Sequence, residues 1–407
     1  MKNSAVSIFT LLMSVLLLCT YDSNAQFNVP KKIKQHSQRT FDQTTDRAAD
    51  KGIDPAYDKE DNGAGDMAEN EREAQFSDEE VTSSGPQKEE PLRAYSKYNF
   101  VPGDVVIFED NLANEENGEF PSKWDLKTGN VEIARYGNEK VINFPDVSWA
   151  RIVPLMAEKG DYLPEKFTVE FEAYFSEFCT RYLVSFYDMV NQPYLKDFPE
   201  ITISPTGVSA GSYGSTKIET KDEDYPFWQR IAISFNIRSL KVFYGEQRTT
   251  NIPNIQANPT GITISGCQCH SGNQSMIRDI RIAKGHEKLY DRVVTAGKFT
   301  TNGIRFDVGK ATLRPESMGV INEIYNMMSD HPELKFSVEG HTDSDGDEAS
   351  NMSLSMARAE AVINQLVSMG IESDRFEAKG FGESKPIDTN NTPEGKANNR
   401  RVEFIKL

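Results

Sequence analysis

Two blocks decide the reading of the C-terminal quarter of the chain: Lys335-Phe336-Ser337-Val338-Glu339-Gly340-His341-Thr342-Asp343-Ser344-Asp345-Gly346, and Asn351-Met352-Ser353-Leu354-Ser355-Met356-Ala357-Arg358-Ala359 after it. The first begins as a strand, with apolar Phe336 and Val338 alternating with polar neighbours, and runs into a loop. The second opens a helix, expected over 353–369 and capped by Gly370. Asp343 then leaves a strand and Arg358 lies on the first turns of the next helix. A carboxylate and a guanidinium 15 positions apart are thereby presented to one pocket. The pair suits a zwitterion, with Asp343 taking an ammonium and Arg358 a carboxylate in bidentate form.

Working outward, 303–308 reads as a strand and 315–330 as a helix with Met318, Ile321, Ile324, Tyr325 and Met328 on one face. A second strand is expected at 334–339 and the last ones at 376–380 and 401–407. Strands and helices alternating around one sheet predict a small α/β sandwich, β-α-β-α-β-β. The Met and Leu stripes are core positions, not a cofactor box.

These blocks, with Gly346, Leu354-Ser355, Gly380, Pro386 and Asn399-Arg400-Arg401-Val402-Glu403, resemble the OmpA-like peptidoglycan-binding domains. The resemblance covers roughly 299–407. It implies that Asp343 and Arg358 bind the free amino-acid end of diaminopimelate in peptidoglycan. It also implies that Asn351 and Arg401 support or line the same site. A non-catalytic envelope protein of the periplasm or the cell outer membrane follows, with no cofactor and no metal. A calcium reading of Asp343-Ser344-Asp345-Gly346-Asp347 is disfavoured. Its glycine is fourth, where an EF-hand needs it sixth. His341, a lone histidine at a strand end, is expected to be simply hydrogen-bonded.

The chain has 407 residues and a net charge of −17, which argues against nucleic acid and anionic lipid as partners. Lys2, the apolar run from Ala5 to Leu18, and Ser23-Asn24-Ala25 before Gln26 read as a cleaved signal peptide over 1–25. Cys19 follows Leu18 where a lipobox needs a small residue, so lipidation is disfavoured but left open. Residues 26–98 read as a disordered acidic linker. They cannot bury enough apolar surface to offset their ordering entropy.

Residues 99–286 hold short β-rich runs, among them 105–108, 140–144, 167–175, 182–186, 230–235, 240–244, 261–264 and 277–282. They predict an all-β antiparallel sandwich. Their rhythm resembles a laminin-G or concanavalin-like jelly roll, which implies a glycan or protein ligand for this domain. Trp124, Trp149 and Trp228 are then either core or sugar-stacking residues. In 167–175, Thr168, Glu170, Glu172 and Tyr174 share the face opposite the apolar one, so both glutamates are expected to face solvent, where they are candidates for a groove. No Ser/His/Asp or Cys/His arrangement is legible, so an enzyme is disfavoured. Three cysteines remain after signal removal, predicting one disulfide, Cys179 with Cys267 or Cys269, and one thiol. Cys267-Gln268-Cys269-His270 lacks the second pair a zinc site needs.

Overall fold

The period-two alternation between residues 105 and 284 builds two antiparallel sheets. The computed structural model describes residues 98–407 except 157–159, 189–197, 222–223 and 286–287. The expected signal peptide, Cys19 and the linker up to residue 97 lie outside the described residues. The described residues fall in one compact unit.

The strands are β1 (Val105–Asp110), β2 (Trp124–Thr128), β3 (Glu132–Tyr136), β4 (Glu139–Asn143), β5 (Ala150–Pro154), β6 (Lys166–Phe175), β7 (Arg181–Tyr187), β8 (Ile201–Ser204), β9 (Gly207–Ser209), β10 (Ser215–Lys217), β11 (Phe227–Asn236), β12 (Ser239–Tyr244), β13 (Gln247–Ile252), β14 (Gly261–Cys267) and β15 (Ser275–Lys284). One sheet runs β13-β12-β11-β6-β15-β4-β3, with β1 also beside β15; the other runs β10-β9-β8-β7-β14-β5-β2. Alternate residues of β6, Phe167, Val169, Phe171, Ala173 and Phe175, join Ile231, Tyr182, Val184 and Ile264 in one buried cluster. Trp124 belongs to that core, its indole N–H donating to Asp110 at 2.7 Å. Trp228 lies on the opposite face beside Tyr136 and Tyr174, with the Arg278 guanidinium 4.1 Å from its ring centre. Cys179 bonds Cys269, with Cα atoms 5.6 Å apart, and Cys267 is free among the described residues. The bridge ties the β6–β7 turn to the segment after β14.

The second part begins with helix α1 (Leu289–Ala296) and edge strand β16 (Lys298–Thr301). A 3₁₀ turn, Pro315–Ser317, leads into α2 (Met318–Asp330). Then come β17 (Phe336–Gly340), α3 (Glu348–Ser368), β18 (Phe376–Gly380), α4 (Pro393–Asn399) and β19 (Val402–Lys406). The sheet order is β16-β19-β17-β18, parallel only between β17 and β18. Its core gathers Phe299, Phe336, Phe404, Ile321, Ile324, Met328, Val362 and Leu366. The first strand is 298–301, not 303–308. The Ser317 hydroxyl bonds both the N–H (2.8 Å) and the C=O (2.9 Å) of Arg305, and the backbone turns back on itself through Arg314 N–H to Arg305 C=O (2.9 Å) and Asp307 N–H to Thr312 C=O (3.1 Å), so this stretch does not join the sheet. Only the bridge Phe306–Leu313 remains, and Val308 is 98% exposed. Helix α4 is also beyond the expected β-α-β-α-β-β order. Pro393 at its first turn and the Thr392 hydroxyl accepting from Gly395 N–H at 3.1 Å start it, a signature visible in Thr392-Pro393.

The two cores meet on the outer face of the β6 sheet. Ala397 of α4 packs on Val106 and Ala283. The Asn398 amide bonds both the N–H (2.8 Å) and the C=O (3.1 Å) of Val106, as a neighbouring strand would. Glu170 therefore does not face solvent. It is 2% exposed and paired with Arg230 and with Arg305, whose Nη2 reaches both carboxylate oxygens at 2.9 and 2.8 Å. Alternation correctly sets it on the outer face, but that face is covered. Glu172 is half-buried and pairs with Arg278 at 2.7 Å. Burial pushes the Glu170 carboxyl up, yet the charges of Arg305, Arg230 and Arg281 outweigh it and hold the pKa at about 2.

Glu170→Gln leaves two guanidiniums short of a buried carboxylate and should cost about 3–5 kcal/mol of unfolding free energy. Urea unfolding at pH 7 measures this against the exposed control Glu246→Gln, expected within about 0.5 kcal/mol of wild type. Because the folded pKa is depressed, this stabilisation is present above about pH 4.5 and lost as pH falls toward about 2. The variant should lack that acid-sensitive part, and equal stability of variant and parent would refute the role given to Glu170.

Candidate functional site

Local sequence places the loop between β17 and α3. Gly340 and Gly380 stand opposite each other in the parallel pair, and α3 crosses directly over them. A Cβ on Gly340 would lie 2.1 Å from the Ser355 carbonyl oxygen, and one on Gly380 2.5 Å from Met356 N. Glycine at both strand ends therefore lets the helix approach closely. Asp347 caps α3 by accepting from Ser350 N–H at 2.9 Å. Arg358 follows three turns later.

Asp343 is 8% exposed. Its Oδ2 accepts from Arg400 Nη1 at 2.5 Å, and its Oδ1 from the Asp345 N–H at 3.3 Å. Backbone bonds fix the loop: His341 N–H to Arg401 C=O at 3.0 Å and Thr342 N–H to Gly382 C=O at 2.9 Å. Asn351, at the start of α3, donates to the carbonyls of Asp343 (3.4 Å) and Asp345 (3.1 Å) and to Glu383 (2.7 Å). It holds the loop in shape. Arg358 lies over the Phe306 ring, 5.0 Å from its centre, and its Nε donates to the Lys310 carbonyl at 3.1 Å. Among the described residues it has no carboxylate partner. Burial pulls its pKa down, with Asp343 opposing and Arg400 reinforcing. Arg401 is buried and fully engaged, to Glu403 at 2.6 Å and to the carbonyls of Lys385 (3.0 Å) and Asn399 (3.3 Å).

The structure brings Asp343, Arg358, Asn351 and Arg401 to one cleft of about 640 Å³. Arg400, the direct partner of Asp343, carries no role in the sequence reading, although the doublet Arg400-Arg401 is visible. Glu109, Asn111 and Arg281 of the first part also line the cleft. Nothing local in the sequence marks them. The loop acids are used within the protein: Asp347 caps a helix and Asp345 pairs with Lys396 at 2.7 Å.

His341 differs from its expected hydrogen-bonded state. It is 3% exposed, stacks on Phe381 with centroids 5.5 Å apart, and among the described residues neither ring nitrogen has a hydrogen-bond partner. Glu403 is the nearby carboxylate, 3.8 Å away.

Residues 305–400 match the model of the OmpA family. The chain carries an OmpA domain at its C-terminus. It is 38% identical over 103 residues to the probable lipoprotein YiaD of Escherichia coli K12, covering 25% of this chain and 47% of that one. It is 36% identical over 106 residues to the peptidoglycan-binding protein ArfA of Mycobacterium bovis, covering 26% and 32%. The solved peptidoglycan-associated lipoprotein of Burkholderia pseudomallei is 23% identical and matches over 30% of this chain and all of that one, with a TM-score of 0.26. The chain thus spans less than half the length of these two curated relatives.

Burial, with the Arg401 charge, pulls the His341 pKa down to about 4, against the pull of Glu403. The imidazole is neutral at neutral pH. Its stabilising contribution is present above about pH 6.5 and lost as pH falls through about 4. The His341 ring resonance in an NMR titration is expected to move near pH 4, and a midpoint near 6.5 would contradict its burial.

Proposed function

We propose that this is a non-catalytic cell-envelope protein that anchors to peptidoglycan by binding the free amino-acid end of diaminopimelate. Asp343 takes the ammonium and Arg358 the carboxylate. One observation carries the reading. A buried carboxylate and a guanidinium with no carboxylate partner among the described residues line the same cleft, inside an OmpA domain. The name of the relative ArfA supports peptidoglycan as the ligand. Asn351 shapes the loop that presents Asp343, and Arg401 braces the wall behind it. The Arg358 guanidinium lies over the Phe306 ring, and its fork suits a bidentate carboxylate.

In this reading residues 1–25 are a cleaved signal peptide and 26–98 a linker, and the protein resides in the periplasm or at the outer membrane. Residues 99–286 are a jelly-roll domain. The outer face of the β6 sheet is occupied by the OmpA domain around Glu170, so the sandwich acts there as a platform for the anchor.

Co-sedimentation of the full mature chain with purified peptidoglycan tests this. Asp343→Ala and Arg358→Ala should each weaken binding by about 2–5 kcal/mol, at least tenfold, by leaving a ligand charge unpaired. Arg358→Lys keeps the charge but loses the fork and should fall between. Undiminished sedimentation of both alanine variants would refute the assignment.

A further inference from the structure

The cleft has a wall that the OmpA domain does not supply. Glu109 and Asn111, on and just after β1, and Arg281 of β15 line it together with Asp343 and Arg358. Glu109 binds Arg281 through two hydrogen bonds, 2.5 and 2.8 Å long. Arg400 stands between the two parts. Its Nη1 donates to Asp343 at 2.5 Å, and its Nη2 lies 3.9 Å from Glu109.

The charges at this junction do not balance. Three guanidiniums, Arg281, Arg358 and Arg400, face two carboxylates, Glu109 and Asp343. Of the other charged groups lining the cleft, Asp345 pairs with Lys396, Arg314 with Glu316 and Arg401 with Glu403, while Arg305 shares Glu170 with Arg230. The cleft thus holds a local surplus of positive charge, in a chain whose net charge is −17. A bound zwitterion adds one charge of each sign and leaves the surplus in place. With Arg358 occupied by the ligand's first carboxylate and its ammonium competing for Asp343, the uncompensated guanidinium is Arg400. Glu109 offers it little, because both its oxygens already hold Arg281. The side chain of Arg400 is 37% exposed and so open to a ligand.

We propose, resting on the peptidoglycan reading above, that the β1–β15 edge and Arg400 form a second subsite. It reads a further free carboxylate on the peptide, beyond the amino-acid end held by Asp343 and Arg358. The selected ligand is a diaminopimelate-containing peptide whose neighbouring residue is a carboxylic acid, not its amide. Arg400 is the specificity-determining residue, and Glu109 limits the subsite by neutralising Arg281.

The test is calorimetric titration of the full mature chain with two dipeptides. One is γ-D-glutamyl-meso-diaminopimelate with its free α-carboxylate, and the other is the same peptide with that group amidated. Wild type should bind the free acid about tenfold more tightly, the scale of one charge-assisted pair. Arg400→Gln should reduce the preference below about twofold while removing the competitor from Asp343, so the amidated peptide binds at least as well as before. Glu109→Gln should act in the opposite direction and enlarge the preference, because Arg281 loses its carboxylate. Equal binding of the two peptides by wild type overturns this inference and leaves the peptidoglycan reading standing. So does a preference that survives Arg400→Gln. Binding of neither peptide overturns both.

Discussion

A carboxylate buried where two hydrophobic cores meet constrains the whole molecule. Glu170 leaves the outer face of β6, and its oxygens accept from Arg230 of the same sheet and Arg305 of the OmpA domain. Taking these ions out of water is costly, and only a complete set of partners repays that cost. The set is complete only when the OmpA domain sits on this sheet. The contact therefore specifies one docking geometry, where apolar packing alone would tolerate sliding. Ala397 against Val106 and Ala283 supplies a small apolar patch, and Asn398 satisfies both backbone groups of Val106. A polar interface of this kind stabilises modestly but positions well.

What was legible in the sequence is local. Alternation over five residues and helical spacing over the next block suffice to set Asp343 at a strand exit and Arg358 on the following helix. The glycines at 340 and 380 have a steric reason, because α3 passes within about one atom's width of each. What was not legible depends on contacts between distant parts. Period two assigns Glu170 to the outer face but says nothing of what covers that face. The residues 303–308 have a strand's composition, yet their backbone bonds the Ser317 hydroxyl and the nearby residues 312–314 instead of the sheet. Helix α4 is seven residues long, too short for its periodicity to rise above chance, so only its Thr-Pro start could have marked it. The choice between Cys267 and Cys269 turns on where β14 ends, since Cys267 is its last residue and Cys269, just beyond it, bonds Cys179, and composition holds no trace of that.

The same logic explains why Arg400 and Glu109 escaped notice. They lie 291 positions apart and meet only because α4 docks on β1. Either residue alone reads as a solvated surface charge. Together with Arg281 and Asp343 they form a chain of alternating charges running from the sandwich into the cleft. Of its guanidiniums only Arg400 reaches two carboxylates, Asp343 at 2.5 Å and Glu109 at 3.9 Å, so it is the link between the two parts.

The OmpA domain and the sandwich are therefore not independent. Asn398, which grips β1, lies two residues before Arg400, which occupies Asp343, and α4 ends between them. A displacement of β1 would shift Glu109 and the pivot of Arg400 together, and with them the strength of the Arg400–Asp343 ion pair. The OmpA domain's loop is held from within that domain, by Asn351 and by backbone bonds to residues 382 and 401, whereas the residue paired with Asp343 also faces Glu109 of β1. The arrangement of charges in the cleft is accordingly a property of the two-part assembly, because Arg400 stands beside a strand the OmpA domain does not contain.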